Sequence, residues 1–140
     1  MKRLMIAAIA LLPAINTHAG VCNAKTVTGA YAYEAASIVS GSAVYGAGRL
    51  GFDGAGKATL AGIAVTDGVS QAASGSGTYA VSSTCVVTVN LSVGTQIWIY
   101  LDKLDTVPAV NVAHHGKVVF NNSTHGYSGL GDFDRVTGKF

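Results

Sequence analysis

The chain has 140 residues, with nine Lys plus Arg against seven Asp plus Glu, and charged residues make up only 11% of it. That balance lacks the basic excess on which binding to nucleic acid or to an anionic membrane surface depends, and no polybasic run or RNA-binding signature appears. Gly, Ala, Ser, Thr and Val dominate, which suits short strands joined by glycine turns and not a disordered segment.

In chain order, the first element is an export signal. Lys2 and Arg3 give a positive start, and Leu4 to Ile15 is an apolar run broken only by Pro13. Thr17-His18-Ala19 places small residues at the two positions a signal peptidase reads. The run is too short for a membrane-spanning helix. The expectation is a signal peptide over 1–19 and one mature domain over 20–140, exported to the periplasm or the extracellular space. Without Lys2 and Arg3 the mature part has seven basic and seven acidic residues, a net charge near zero.

Cys22 and Cys85 are the only cysteines. In an exported protein two cysteines usually pair. Such a bridge closes a loop of roughly 64 residues and stabilises by roughly 4 kcal/mol in the chain-entropy estimate. Two free thiols are the alternative. A lipid anchor on Cys22 needs a small residue just before it, and Val21 stands there.

No mature segment keeps a helical pattern for three turns, and strand signals are frequent. Val27 to Ala35 alternates, with Tyr31 and Tyr33 on one face and Thr28, Ala30, Ala32 and Glu34 on the other. Ala43 to Phe52 is the second strand and ends at the turn Asp53-Gly54-Ala55-Gly56, where glycines accept positive φ. Lys57 to Thr66 follows, then a turn at Asp67-Gly68. Val69 to Val81 is one long or broken strand, and Gly75 and Gly77 inside it indicate a bulge or close packing. After Ser82-Ser83-Thr84, residues Cys85, Val87, Val89 and Leu91 share one face. Gly94-Thr95 turns into Gln96 to Leu101, which is apolar on both faces and is expected to be covered or to line a cavity. Thr106 to Ala113 and Lys117 to Asn121 read as a hairpin around His114-His115-Gly116, and Leu130 to Val136 as the closing strand.

These strands, about ten residues apart, predict an all-β fold: a small antiparallel meander barrel of about eight strands, because closure removes exposed edges. A two-sheet β-sandwich is the alternative.

Gly29-Ala30-Tyr31, Gly51-Phe52-Asp53-Gly54-Ala55-Gly56, Gly77-Thr78-Tyr79-Ala80-Val81 running to Cys85, and a final strand with Gly131 and Arg135 occur in that order. The pattern resembles a diffuse group of small secreted, mostly uncharacterised bacterial proteins with a lipocalin-like β-barrel. Lipocalins place an aromatic two residues after a glycine on the first strand, and an arginine on the last strand packs across it. The resemblance gives these parts to Tyr31 and Arg135, although the lipocalin residue is usually Trp. It implies no known catalytic residue and no known ligand.

Catalytic chemistry finds little support. Glu34 is the only glutamate and is expected to face solvent, away from Tyr31 and Tyr33. Asp53, Asp67, Asp102 and Asp105 fall at predicted turns, where Asp bonds its own backbone. No nucleophile elbow, phosphate loop or reactive-cysteine pattern is present. His114, His115 and His125, with Asp132 or Asp134, are the one set with metal-ligand chemistry. Neighbouring residues on a strand point to opposite faces, so His114 and His115 join only if they sit in a turn. The expectation is no metal, no cofactor and no enzyme.

Tyr31, Tyr33, Trp98, Tyr100 and Phe120 are the candidate ligand-binding residues, since aromatics on the strands of a small barrel line a cavity or fill the core. The expected function is a secreted or periplasmic barrel binding a small apolar ligand. The alternative is a structural or surface-interaction protein with a filled core. An outer-membrane barrel is third: Phe140 is a terminal aromatic, but Asp134, Val136 and Gly138 are poor lipid-facing partners. No stable membrane insertion is expected, and the composition leaves oligomeric state open.

Overall fold

The structure is a computed structural model that describes residues 22–39, 41–107, 110–122 and 127–136. The expected signal peptide over 1–19 and His125 lie outside the described residues. Eight strands follow one another around a closed barrel: β1 Gly29–Val39, β2 Ser42–Phe52, β3 Lys57–Thr66, β4 Val69–Val81, β5 Val86–Leu91, β6 Thr95–Val107, β7 Val110–Asn122 and β8 Tyr127–Arg135. Each pairs antiparallel with its sequence neighbours, and β8 closes on β1 from Tyr31 opposite Arg135 to Ser37 opposite Gly129. The fold is therefore the meander barrel and not the sandwich.

The turns form for the reasons the sequence gives. Asp53 Oδ1 accepts from the Ala55 and Lys57 N–H groups at 2.7 and 2.9 Å, and Gly54 and Gly56 take φ of 80° and 101°. Asp67 and Gly68, with φ of 50° and 80°, join β3 to β4 in two residues, which matches the twist of the flanking strands.

One end of the barrel is filled by aromatic packing. Tyr31 and Phe133 stack with centroids 4.2 Å apart, and Phe52 meets them edge-on at 5.9 and 6.1 Å and Tyr79 at 4.8 Å. Leu50, Val87, Val89, Ile97, Ile99 and Val118 complete this core. A 3-10 turn, Ala24–Val27, closes the end, with Thr26 and Val27 fully buried and the Tyr79 hydroxyl donating to the Ala24 carbonyl at 2.8 Å. The Cys22–Cys85 disulfide ties this turn to the segment just before β5, with Cα atoms 5.2 Å apart. Such a bond suggests a non-cytoplasmic compartment.

Towards the other end several inward positions are glycine or alanine. Gly48, Gly62 and Gly131 stand where neighbouring backbone comes close: added Cβ atoms would overlap the Ala61, Ala47 and Glu34 carbonyls respectively. The Tyr33 hydroxyl comes within 2.7 Å of where a Gly62 Cβ would lie, so the Tyr33 ring occupies space that small neighbours leave.

Three strand expectations are corrected. Val27 belongs to the 3-10 turn, so β1 begins at Gly29 and continues to Val39. His114-His115-Gly116 is not a hairpin turn: β7 is continuous there, and the reversal falls between Val107 and Val110. The cause is an irregularity in the β6–β7 ladder, where the register shifts on either side of Lys103. Leu101 and Leu104 both pack on the core, and Ala113 and Gly116 are both buried. Two residues therefore lie between successive inward positions on each strand, which breaks the alternation. Gly116 serves close approach, since a Cβ there would sit 2.9 Å from the Tyr100 carbonyl. Finally, β6 is covered on one face only: Ile97 and Ile99 are buried, but Trp98 is half-buried and Tyr100 is 51% exposed.

Candidate functional site

The five aromatic candidates do not meet in one cavity. Tyr31 is in the core, its hydroxyl donating to the Ala113 carbonyl at 3.1 Å. Burial pushes its pKa up to about 12, against the opposing pull of the Arg135 cation. Tyr33 and Phe120 point inward and are half-buried. Trp98 and Tyr100 are on the outer surface. The Arg135 guanidinium carbon lies 5.7 Å from the Tyr31 ring centroid.

The irregular stretch of β6 and β7 gathers the histidines on the outside of the barrel. His115 Nδ1 is 2.5 Å from Asp102 Oδ1, and its Nε2 is 3.5 Å from Asp132 Oδ1, which also pairs with Lys117. His114 Nε2 is 2.8 Å from Asp105 Oδ2. Both histidines thus reach carboxylates without a turn, because the broken alternation brings them to one side. Hydrogen bonds from His115 and Lys117 hold the Asp102 and Asp132 carboxyls below the usual carboxylate range. Both His115 ring nitrogens face carboxylates, and among the described residues no group of three His, Cys, Asp or Glu is arranged to hold a metal. The cluster reads as a pin between β6, β7 and β8.

A depression of ligand dimensions lies on the outer face of β8, β1, β2 and β3. Outward residues pair there in register: Asp132, Glu34, Ala47 and Ile63 form one rung, and Leu130, Ala36, Tyr45 and Val65 the next. A groove of about 500 Å³ runs over these rungs. It adjoins a hollow of about 690 Å³ bordered by Ile38, Ala43 and Ser128, with Ala36, Tyr45 and Leu130 common to both. Alanines make the floor because a small side chain leaves depth between larger neighbours. The large neighbours are unusually open to solvent: Ile38 is 76% exposed, Leu130 68%, Tyr45 60% and Ile63 54%. The apolar rung continues through Val119 on β7 to Trp98 on β6.

Sequence reasoning missed this groove. The outward positions of β1, β2 and β3 each alternate visibly, but β1 meets β8 only on closure, so nothing local brings Leu130 beside Ala36. The fold and its surface define a small closed antiparallel β-barrel with an apolar groove on its outer wall. No family model matches the chain, and no curated protein matches it significantly.

Proposed function

We propose that the protein is an exported β-barrel that binds a small apolar ligand in the groove on the outer wall of β8, β1, β2 and β3. The observation that carries this is the distribution of apolar side chains. Tyr31, Phe52, Tyr79 and Phe133 fill one end of the interior, while Ile38, Tyr45, Ile63 and Leu130 stay open to solvent around one groove. Its volume of about 500 Å³ is in the range of small-ligand sites. Export is supported by the amino-terminal signal pattern and by the disulfide. The closed meander and the Tyr31–Arg135 contact favour the resemblance to lipocalin-like secreted proteins. Glu34, Arg49, Lys117 and Asp134 on the outer wall oppose insertion of the barrel into lipid.

Calorimetric titration with 1-decanol tests the site. Leu130→Ser and Ile63→Ser alter exposed side chains and leave the fold intact, and each weakens binding by about three- to tenfold. Absence of binding, or binding indifferent to both variants, overturns the assignment.

A second function, a filled-core protein that docks another macromolecule, is favoured by the continuation of the apolar rung to Val119 and Trp98. It predicts concentration-dependent association in sedimentation that Leu130→Ser abolishes.

A further inference from the structure

The groove has polarity. Glu34 and Asp132 face each other directly across the β1–β8 pair, and both line it. No Lys, Arg or His is among its lining residues. Asp132 is met from the β7 side by Lys117 and His115. The Glu34 side chain is exposed and, among the described residues, has no ion-pair or hydrogen-bond partner. Like charges directly opposed on neighbouring strands are destabilising, and Lys117 and His115 compensate Asp132 from the β7 side only. A cation lying beside Glu34, on the side of Asp132 away from Lys117, compensates the carboxylate that those partners leave unmatched.

Beyond this acidic rung the groove is apolar. Two residues further along the strands come Leu130, Ala36, Tyr45 and Val65, and two further come Ile38 and Ala43. From Glu34 to Ile38 the wall extends on the order of 14 Å, the length of a medium alkyl chain. Carboxylates at one end and exposed aliphatic and aromatic side chains along the rest match a molecule with a positive head and an apolar tail.

We propose that the groove selects a cationic amphiphile, a primary alkylammonium-like ligand. Its ammonium lies against Glu34 and Asp132, and its tail lies along Ala36, Tyr45, Leu130 and Ile38. This rests on the groove being the ligand site. An ion pair at an exposed site is worth little each, so the head group sets selectivity and the tail supplies most of the affinity.

The test is a calorimetric series with decylammonium, 1-decanol and decanoate, all below their aggregation thresholds and at low salt. The expected order is decylammonium tightest, by roughly fivefold over decanol, with decanoate weakest and the differences shrinking at high salt. Glu34→Gln, a change at an exposed position, removes the advantage of decylammonium over decanol. Asp132 is left intact because it also holds Lys117 and His115. If decanol binds and decylammonium gains nothing, or if the gain survives Glu34→Gln, selection of a cation is overturned and the apolar groove stands. If none of the three binds, or if Leu130→Ser and Ile63→Ser leave all three unaffected, the groove itself fails and the head-group preference with it.

Discussion

Tyr31 and Arg135 share one acceptor. The Tyr31 hydroxyl donates to the Ala113 carbonyl at 3.1 Å, and Arg135 Nη1 donates to the same oxygen at 3.4 Å while its guanidinium lies over the Tyr31 ring. Arg135 Nη2 also donates to the Thr28 carbonyl at 3.2 Å. One side chain on β8 thus joins the start of β1, the early part of β7 and the lead-in from the 3-10 turn.

Arg135→Met keeps much of the apolar stem and loses the cation and its donors. Its expected cost is about 1–3 kcal/mol in urea unfolding. Arg135→Lys recovers only part of this, because an ammonium cannot lie flat on the ring and serve two carbonyls in a fixed fork. Full recovery by Lys would show that charge alone is needed.

Alkaline pH separates the Tyr31 hydroxyl from its neighbours. Burial raises its folded-state pKa from 10.0 to about 12. The folded chain therefore holds that proton more tightly than the unfolded chain does. The stability it contributes is fully present below about pH 10 and is lost as pH rises towards 12. Burial also raises the Tyr79 pKa, with a contribution of the same sign. Melting curves across pH 9–12 should fall less steeply for Tyr31→Phe than for the native chain, and parallel curves would contradict the assignment.

Gly131 is expected to be intolerant of a side chain. An added Cβ would overlap the Glu34 carbonyl and approach Ala35 Cα at 2.7 Å, both backbone atoms that cannot swing aside. Gly131→Ala should cost about 1–3 kcal/mol. Gly46→Ala is the control on β2, where the nearest atom would be 3.8 Å away, and a change near zero is expected. Chemical unfolding of the two variants decides it.

The disulfide closes its loop over a separation of 63 residues. Replacing both cysteines by Ser should cost about 4 kcal/mol in the chain-entropy estimate. It should also loosen the Ala24–Val27 turn first. Hydrogen exchange at Thr26 and Thr28, whose N–H groups donate to the Asn23 and Lys25 carbonyls, is the local readout, and unchanged protection there would contradict it.

Much of the barrel was legible in local chemistry. Lys57 to Thr66 and Val69 to Val81 match β3 and β4 residue for residue, because Asp53, Gly56, Asp67 and Gly68 mark sharp turns at their ends. The alternation of Tyr31 and Tyr33 against Ala32 and Glu34 set the facing of β1 correctly. The region from Leu101 to Gly116 was not legible. There the ladder loses its period of two, so a histidine pair beside a glycine looked like a turn while the actual reversal lay between Val107 and Val110. The groove was invisible for another reason. Its rungs combine Leu130 and Asp132 with Glu34 and Ala36, and only barrel closure sets that register. Trp98 and Tyr100 are ambiguous in the sequence because two apolar faces on one strand do not reveal which of them the core covers.

The most direct test of the outer-wall site is a map of amide chemical-shift changes as 1-decanol is added to isotope-labelled protein. The account predicts saturable changes concentrated at Ala36, Tyr45, Ala47, Ile63 and Leu130, with little change at Tyr33, Gly62 and Phe120 inside the barrel. Changes centred on Tyr33, Gly62 and Phe120, with the outer wall silent, would contradict it and place the ligand in the interior.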